Sequence, residues 1–313
     1  MINKYPAWFI YIFLISLSFG IVLRRNNWFY TWIGFELSLI GFIPIFSQGS
    51  ITTEGLIKYF LIQSGGSAIF ILSFITHIKR ISANFFIISM LLKLGIFPFH
   101  QWVAPIIAVF TWNICIILTT FQKLAPIFVI ISINDQKILI KITMLASISI
   151  FVRNLIALNQ TIIKPLIAYS SISHSRWLTL ARVHSEKITW IYILTYFPLT
   201  IALFNLFQKE KTDKLFEKKI STTREIKITI ILLTIAGIPP FSVFYLKIII
   251  ILIVSHIPVI IMFALIGTLF STFYYISFLV PKQIKIYINM KLWRGKSIIP
   301  ILLINLTPLI ILL

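Results

Sequence analysis

Glu36 is an isolated carboxylate inside the apolar run Trp28–Phe46 (WFYTWIGFELSLIGFIPIF), near the middle of a segment long enough to cross a bilayer. Three lysines, Lys93, Lys123 and Lys247, recur in the same setting. Ionisable groups at membrane depth are expensive, face a bundle interior or a wet cavity, and by default mark an ion or proton path. An ammonium in low dielectric is destabilised relative to the neutral amine, so buried lysines can load and release protons. One acid and three bases of this kind form a candidate proton pathway.

Lys123 lies in TWNICIILTTFQKLAPIFVI, with Thr119 and Thr120 four and three residues before it. At helical spacing these side chains share a face, where the hydroxyls could bind water beside the amine. The competing explanation is snorkelling, in which a lysine near a helix end reaches the headgroups. It suits Lys58, Lys137, Lys141 and Lys164, but Lys123 has about ten apolar residues on either side. Lys93 is the first-choice partner for Glu36. A carboxylate that approaches favours the protonated lysine, and one that withdraws releases the proton onward; the alternative is a static ion pair pinning two helices. Ser170, Ser173, His174 and Trp177 recur at three- and four-residue spacing. The serines either line a water chain or hydrogen-bond between helices, and His174 is either an additional relay or a packing histidine.

These side chains require membrane helices to hold them. Of 313 residues, 59% are hydrophobic and 12% charged, which indicates an all-α polytopic membrane protein. Apolar runs near 7–23, 28–46, 56–77, 84–107, 110–132, 138–158, 164–183, 188–207, 226–254, 257–280 and 297–313 predict about eleven spans in a single transmembrane domain over 1–313. The first run has no small-residue cleavage site before Arg24 and is expected to be a retained helix. Two runs, 84–107 and 226–254, are overlong and carry proline in the middle, so each is expected to be a broken helix. Lys93-Leu-Gly-Ile-Phe-Pro98-Phe99 and Ala236-Gly-Ile-Pro239-Pro240-Phe241, the latter followed by Lys247, combine the same residue types. Paired interruptions of this sort point to inverted repeats with an ion site at the midplane; a kink that only aids packing is the simpler alternative.

The formal charge of +20 sits largely in loops between spans, where anionic lipid and membrane orientation explain it better than nucleic acid. Fifteen lysines and arginines fall on the N-terminal side of the predicted topology and eight on the other, which places the N-terminus on the side of synthesis. Cys115 is the single cysteine and forms no internal disulfide. No phosphate loop or dinucleotide fingerprint is present, and His77, His100, His174, His184 and His256 lack paired ligand spacing. No cofactor or metal is expected on this chain.

Six segments, in order, resemble one family: WIGFELSLIGFIP (32–44), TTEGLIKYFLIQ (52–63), LLKLGIFPFHQW (91–102), TTFQKLAP (119–126), LNQT with IAYSSISH (158–174) and AGIPPFSVFYLK (236–247). The chain is thereby similar to the NADH:ubiquinone oxidoreductase chain 2 family, the mitochondrially encoded antiporter-like subunits of respiratory complex I. The resemblance implies an inverted-repeat antiporter-like fold with two broken helices, its first repeat helices lost as in many animal versions. It implies a proton-translocating subunit that couples NADH to ubiquinone electron transfer to pumping. Glu36, Lys93, Lys123 and Lys247 match the family's proton-pathway positions. NADH, FMN, iron–sulfur clusters and ubiquinone are then expected on partner subunits. The implied partners are other membrane-arm subunits and phospholipids, cardiolipin among them. The implied location is the mitochondrial inner membrane, with the N-terminus in the matrix and the C-terminus on the intermembrane-space side.

The sequence departs from the family in three places. Trp102-Val-Ala-Pro105 lacks the glutamate that usually follows the first break, Arg176 replaces a small residue after the histidine motif, and Ile156-Ala157 stands where a glycine pair is expected. Two other functions share the same residues: a subunit of a cation/proton antiporter, and a structural subunit whose charges only hold helices together.

Overall fold

The computed structural model describes residues 7–24, 27–47, 53–160, 162–182, 185–210, 222–239 and 241–288. Among them every regular element is helical. The helices are α1 (Ala7–Arg24), α2 (Trp28–Ser47), α3 (Thr53–Ile75), α4 (Lys79–Leu94), α5 (Val103–Val109), α6 (Trp112–Thr119), α7 (Phe121–Ile131), α8 (Gln136–Ala157), α9 (Ile163–Arg182), α10 (Glu186–Glu210), α11 (Thr222–Ala236), α12 (Ser242–Ile253) and α13 (Pro258–Ile288). Each apolar run from 7–23 to 257–280 is helical, and the run at 297–313 lies outside the described residues. Among the described residues six stretches are long and apolar enough to cross a membrane: Trp28–Ile45, Glu54–Ile75, Trp112–Ile131, Gln136–Ala157, Glu186–Lys209 and Pro258–Ser277.

The outward faces are apolar. Leu61, Leu194, Leu252, Leu269 and Phe273 are each more than 60% exposed. In water such a surface drives aggregation, whereas in lipid it is the normal exterior. Because lipid tails are as apolar as leucine, helix association rests on close packing and not on burial from water.

The chain forms two compact units, residues 1–145 and 146–313. In the first, α2 packs between α1 and α3, α3 packs on α4 and α5, and α7 contacts α1, α2 and α4. Gly34 and Gly41, seven residues apart on α2, let α1 approach. A Cβ on Gly34 would stand 2.6 Å from Val22 Cγ2, and one on Gly41 3.0 Å from Leu14 Cβ. In the second unit α10 packs on α9 and α11, α11 on α13, and α12 on α9, α10 and α11.

Helix α9 is buried along its length, from Ile163 to Ala181, although it carries Lys164, His174, Arg176 and four serines between 170 and 175. Its polar groups are therefore enclosed by protein. This overturns the snorkelling expected of Lys164, which is buried with its helix. Lys58, Lys137 and Lys141 are exposed as that reading expects, and Lys58 reaches Glu54 at 2.5 Å.

The sequence pattern predicts an unbroken helix over 110–132, but a one-residue interruption at Thr120 (φ −110°, ψ −76°) divides α6 from α7. Two local causes act there. Thr119 and Thr120 donate their hydroxyl protons to the carbonyls of Cys115 and Ile116, four residues back, at 2.8 and 2.6 Å, a habit that bends helices. Pro126 lacks the N–H that the carbonyl of Gln122 would accept.

Candidate functional site

Both predicted breaks are present, and both are closed by the same backbone device. Helix α4 ends at Leu94, and Gly95 adopts φ +66°. The Gly95 N–H donates to Leu92 O (3.2 Å) and the Ile96 N–H to Leu91 O (2.8 Å). Helix α11 ends at Ala236, and Gly237 adopts φ +77°. Its N–H donates to Thr234 O (3.1 Å) and that of Ile238 to Leu233 O (3.4 Å). Each is a Schellman cap, which needs a left-handed residue that glycine adopts without Cβ strain. Three residues further on, Phe99 donates to Ile96 O (2.9 Å) and Phe241 to Ile238 O (3.0 Å). Pro98 and Pro240 precede those phenylalanines in the sequence.

In the first unit, α2, α3 and α4 bring Glu36 and Lys93 into one site. Lys93 is 6% exposed. Its ammonium lies 4.2 Å from the centre of the Phe35 ring and donates to Gln63 O at 3.4 Å. Gln63 returns the contact through its side-chain amide to Lys93 O, also at 3.4 Å. Gly66 makes room for the lysine stem: a Cβ there would stand 3.2 Å from Lys93 Cγ. Glu36 is half-buried on α2 and accepts a short hydrogen bond from the Ser67 hydroxyl. It lies within electrostatic reach of Lys93, but among the described residues no ion pair joins the two. The carboxylate is therefore held by a hydroxyl and acts on the amine through space.

Lys123 is buried on α7, the helix that contacts both α2 and α4. Gln122 beside it donates to Ser38 O at 3.2 Å, tying α7 to the helix of Glu36. The Thr119 and Thr120 protons are engaged with their own helix, so toward water these hydroxyls offer lone pairs.

In the second unit, Lys247 on α12 folds back on the break before it. Its ammonium donates to Ala236 O at 3.0 Å and lies 5.9 Å from the Trp177 ring. Ala236 O is one of the carbonyls that the end of α11 leaves without a helical partner, at the negative end of that helix. A Cβ on Gly237 would stand 2.8 Å from Lys247 Nζ. Glycine therefore serves both the left-handed turn and the amine's access.

His174 is buried, with Nδ1 2.7 Å from the Tyr192 hydroxyl and its ring stacked on Tyr196 at 4.2 Å. Ser170 and Ser173 donate to the carbonyls of Ile167 and Ser170 at 2.7 Å each. The stripe thus gives its protons to its own helix. Arg176, the departure beside the histidine motif, reaches from α9 to Ser149 O of α8 at 2.9 Å. Arg153 lies over the Tyr169 ring at 4.9 Å. His184 lies outside the described residues.

Ser67, Gln63 and Tyr192 are site residues that the sequence reading does not single out. Gln63 closes one of the quoted segments and Ser67 follows Gly65-Gly66, a cluster of small residues that signals close helix packing. Nothing in the spacing of Tyr192 ties it to His174.

A sequence model described as NADH:quinone oxidoreductase/Mrp antiporter, transmembrane, matches residues 76–272. The NADH-ubiquinone oxidoreductase chain 2 of Lumbricus terrestris is 30% identical over 296 residues, covering 90% of this chain and 88% of that one. The chain belongs to the NADH-ubiquinone oxidoreductase chain 2 family. Members from Anopheles gambiae and Bos taurus are 32% and 30% identical and cover 74% and 76% of this chain, with 72% and 74% of their own. The family fold also matches solved structures. One chain of respiratory complex I from Thermus thermophilus with bound aureothin superposes with a TM-score of 0.77 at 19% identity, covering 87% of this chain and 70% of that one. A chain of the Mrp complex from Dietzia sp. gives 0.74 at 13% identity, covering 86% and 59%. As a member of this family the chain is a multi-pass membrane protein with an antiporter-like fold.

Proposed function

We propose that this chain is a proton-translocating subunit of the membrane arm of respiratory complex I in the mitochondrial inner membrane, with its N-terminus on the matrix side. The observation that carries the reading is the Glu36–Ser67–Lys93 site, where a buried amine beside a break lies in the field of a half-buried carboxylate. Glu36 modulates Lys93 as the pump-site base, Lys123 serves as the central relay, Lys247 as the exit-side relay and His174 as an additional relay. Quinone reduction on partner subunits, which hold NADH, FMN, iron–sulfur clusters and ubiquinone, drives the protons by shifting charges along the membrane arm. Phospholipids, cardiolipin among them, meet the basic loops.

Lys123→Met and Glu36→Gln are expected to leave assembly largely intact and to lower proton-coupled NADH oxidation by about a hundredfold, the low end of what a positioned acid–base group contributes. Proton-to-electron ratios measured in vesicles with each variant check this. Unchanged ratios with both substitutions refute the transport role, and parallel loss of assembly and pumping favours a structural one. The resemblance to an Mrp chain supports a second reading, a cation/proton antiporter subunit. Purification with or without NADH dehydrogenase activity separates the two.

A further inference from the structure

One end of the first unit carries a patch of charge that the proposed pathway does not use. It is built from Lys79 and Arg80 at the start of α4 and Lys137 and Lys141 in the first two turns of α8, all four exposed. Between Thr76 and Ala157 the chain holds a single carboxylate, Asp135, which accepts the Lys137 N–H at 2.9 Å. Four positive charges therefore face one negative charge. Lys141 donates to Asn84 Oδ1 at 3.5 Å, which ties the two helices. Arg80 stands four residues before Asn84, and Lys137 four before Lys141. Each thus shares a helix face with a member of the tie, one turn nearer the helix start.

Neither the helices nor the topology call for these charges. The first turns of α4 and α8 contain no acidic residue, and cations at the positive end of a helix dipole are unfavourable. In the predicted topology the four lie opposite the N-terminus, on the side with eight lysines and arginines against fifteen, so the orienting tendency does not explain them. Their surroundings are amphiphilic. Ile78, Ile81 and Ile140, at the same helix starts, are 61%, 41% and 40% exposed. Trp28, at the start of α2, is 42% exposed; it stacks on Phe74 of α3 at 4.9 Å and meets Phe86 of α4 edge-on at 6.1 Å. A half-exposed tryptophan marks the headgroup level of a bilayer. The cations thus stand at the depth of lipid phosphates, with exposed apolar side chains among them.

We propose that Lys79, Arg80, Lys137 and Lys141 bind the phosphate of an anionic phospholipid whose acyl chains lie along Ile81 and Ile140. The proposal rests on the reading that phospholipids meet the basic segments of this chain, and it assigns a site distinct in sequence from the basic segment 209–227. Guanidinium and ammonium groups hold phosphate through charge-assisted hydrogen bonds, and the Lys141–Asn84 tie brings cations of two helices to one surface. A lipid seated there staples α4, which carries Lys93 near its other end, to α8.

The test uses the purified complex that contains this chain, in phosphatidylcholine vesicles carrying a trace of photoreactive phosphatidylglycerol or, in a parallel sample, of photoreactive phosphatidylcholine. Peptides that include 77–84 and 134–141 are expected to take up the anionic probe in preference to the zwitterionic one. Equal labelling by the two probes overturns the proposal without any substitution. Arg80→Gln combined with Lys137→Gln is expected to preserve the amount of assembled complex and to cut the preference by about tenfold or more, since each cation near an anionic surface strengthens binding about fivefold. Arg80→Lys combined with Lys137→Arg is expected to keep it. A preference that persists in the glutamine variant, or that is lost in the charge-preserving one, overturns the proposal. So does a carbodiimide cross-link from Lys79 or Lys137 to a carboxylate of a partner subunit, which would give the patch to an acidic protein segment. If the segment 209–227 is labelled selectively and the patch is not, only the site fails; if neither is, the phospholipid reading fails with it.

Discussion

At the first break the lysine stands two residues before the left-handed glycine, and its amine turns away to α3; at the second it stands ten residues after, and its amine returns to the break. The backbone closure is the same in both, down to the phenylalanine N–H that donates to the isoleucine carbonyl. The charge environments differ. Lys93 has a nearby carboxylate, Glu36, held by Ser67, whereas Lys247 is held by the carbonyl that ends α11, with no carboxylate beside it among the described residues. A carboxylate changes charge and position, so it can regulate an amine; a helix end is a fixed dipole. One backbone device thus carries an amine near a carboxylate in the first unit and an amine on a helix end in the second.

The glycines give the largest test of that difference. Gly237→Ala and Gly95→Ala each force a Cβ into a left-handed position, at about 1–2 kcal/mol. At Gly237 the new methyl also meets the Lys247 amine, whereas at Gly95 it meets Val103 Cγ2 at 2.6 Å. Thermal unfolding of the assembled complex is expected to show similar losses, while pumping measured at matched assembly falls only for Gly237→Ala. Equal pumping in the two variants would break the comparison.

Ser67→Ala removes the hold on Glu36 without touching either charge. A hydrogen bond to a charged group contributes about 1.5–3 kcal/mol, so coupled turnover is expected to fall by about tenfold, less than with Glu36→Gln. The smallest effect is expected from Gly66→Ala, which presses on the Lys93 stem at 3.2 Å while gaining helix propensity. Its stability change should stay within about 1 kcal/mol of zero, with calorimetry of the assembled complex as the check.

The helices and both breaks were legible in the sequence, because apolar run length and the Gly-Ile-(Phe/Pro)-Pro-Phe pattern report backbone requirements directly. The burial of Lys93, Lys123 and Lys247 was legible for the same reason, and Glu36 is half-buried. Their partners were not. Which hydroxyl meets Glu36 depends on how α2 and α3 are rotated against each other, and an isolated apolar run carries little information on rotation. The interruption at Thr120 arises from side-chain hydrogen bonds that apolar periodicity does not register. The His174 cluster joins α9 to α10, with Tyr192 eighteen residues from the histidine, so only the tertiary fold brings them together. Lys164 was misread because a lysine at a helix end reaches headgroups only when its helix borders lipid, and α9 is enclosed.

The glycine pair on α2 limits how Glu36 can act. With Gly34 and Gly41 seated against α1 at contacts that leave no space for a methyl group, sliding or rolling of α2 would drive backbone into Val22 or Leu14. With α2 so closely seated, side-chain torsions are the carboxylate's readiest means of travel, a swing of about a few ångströms.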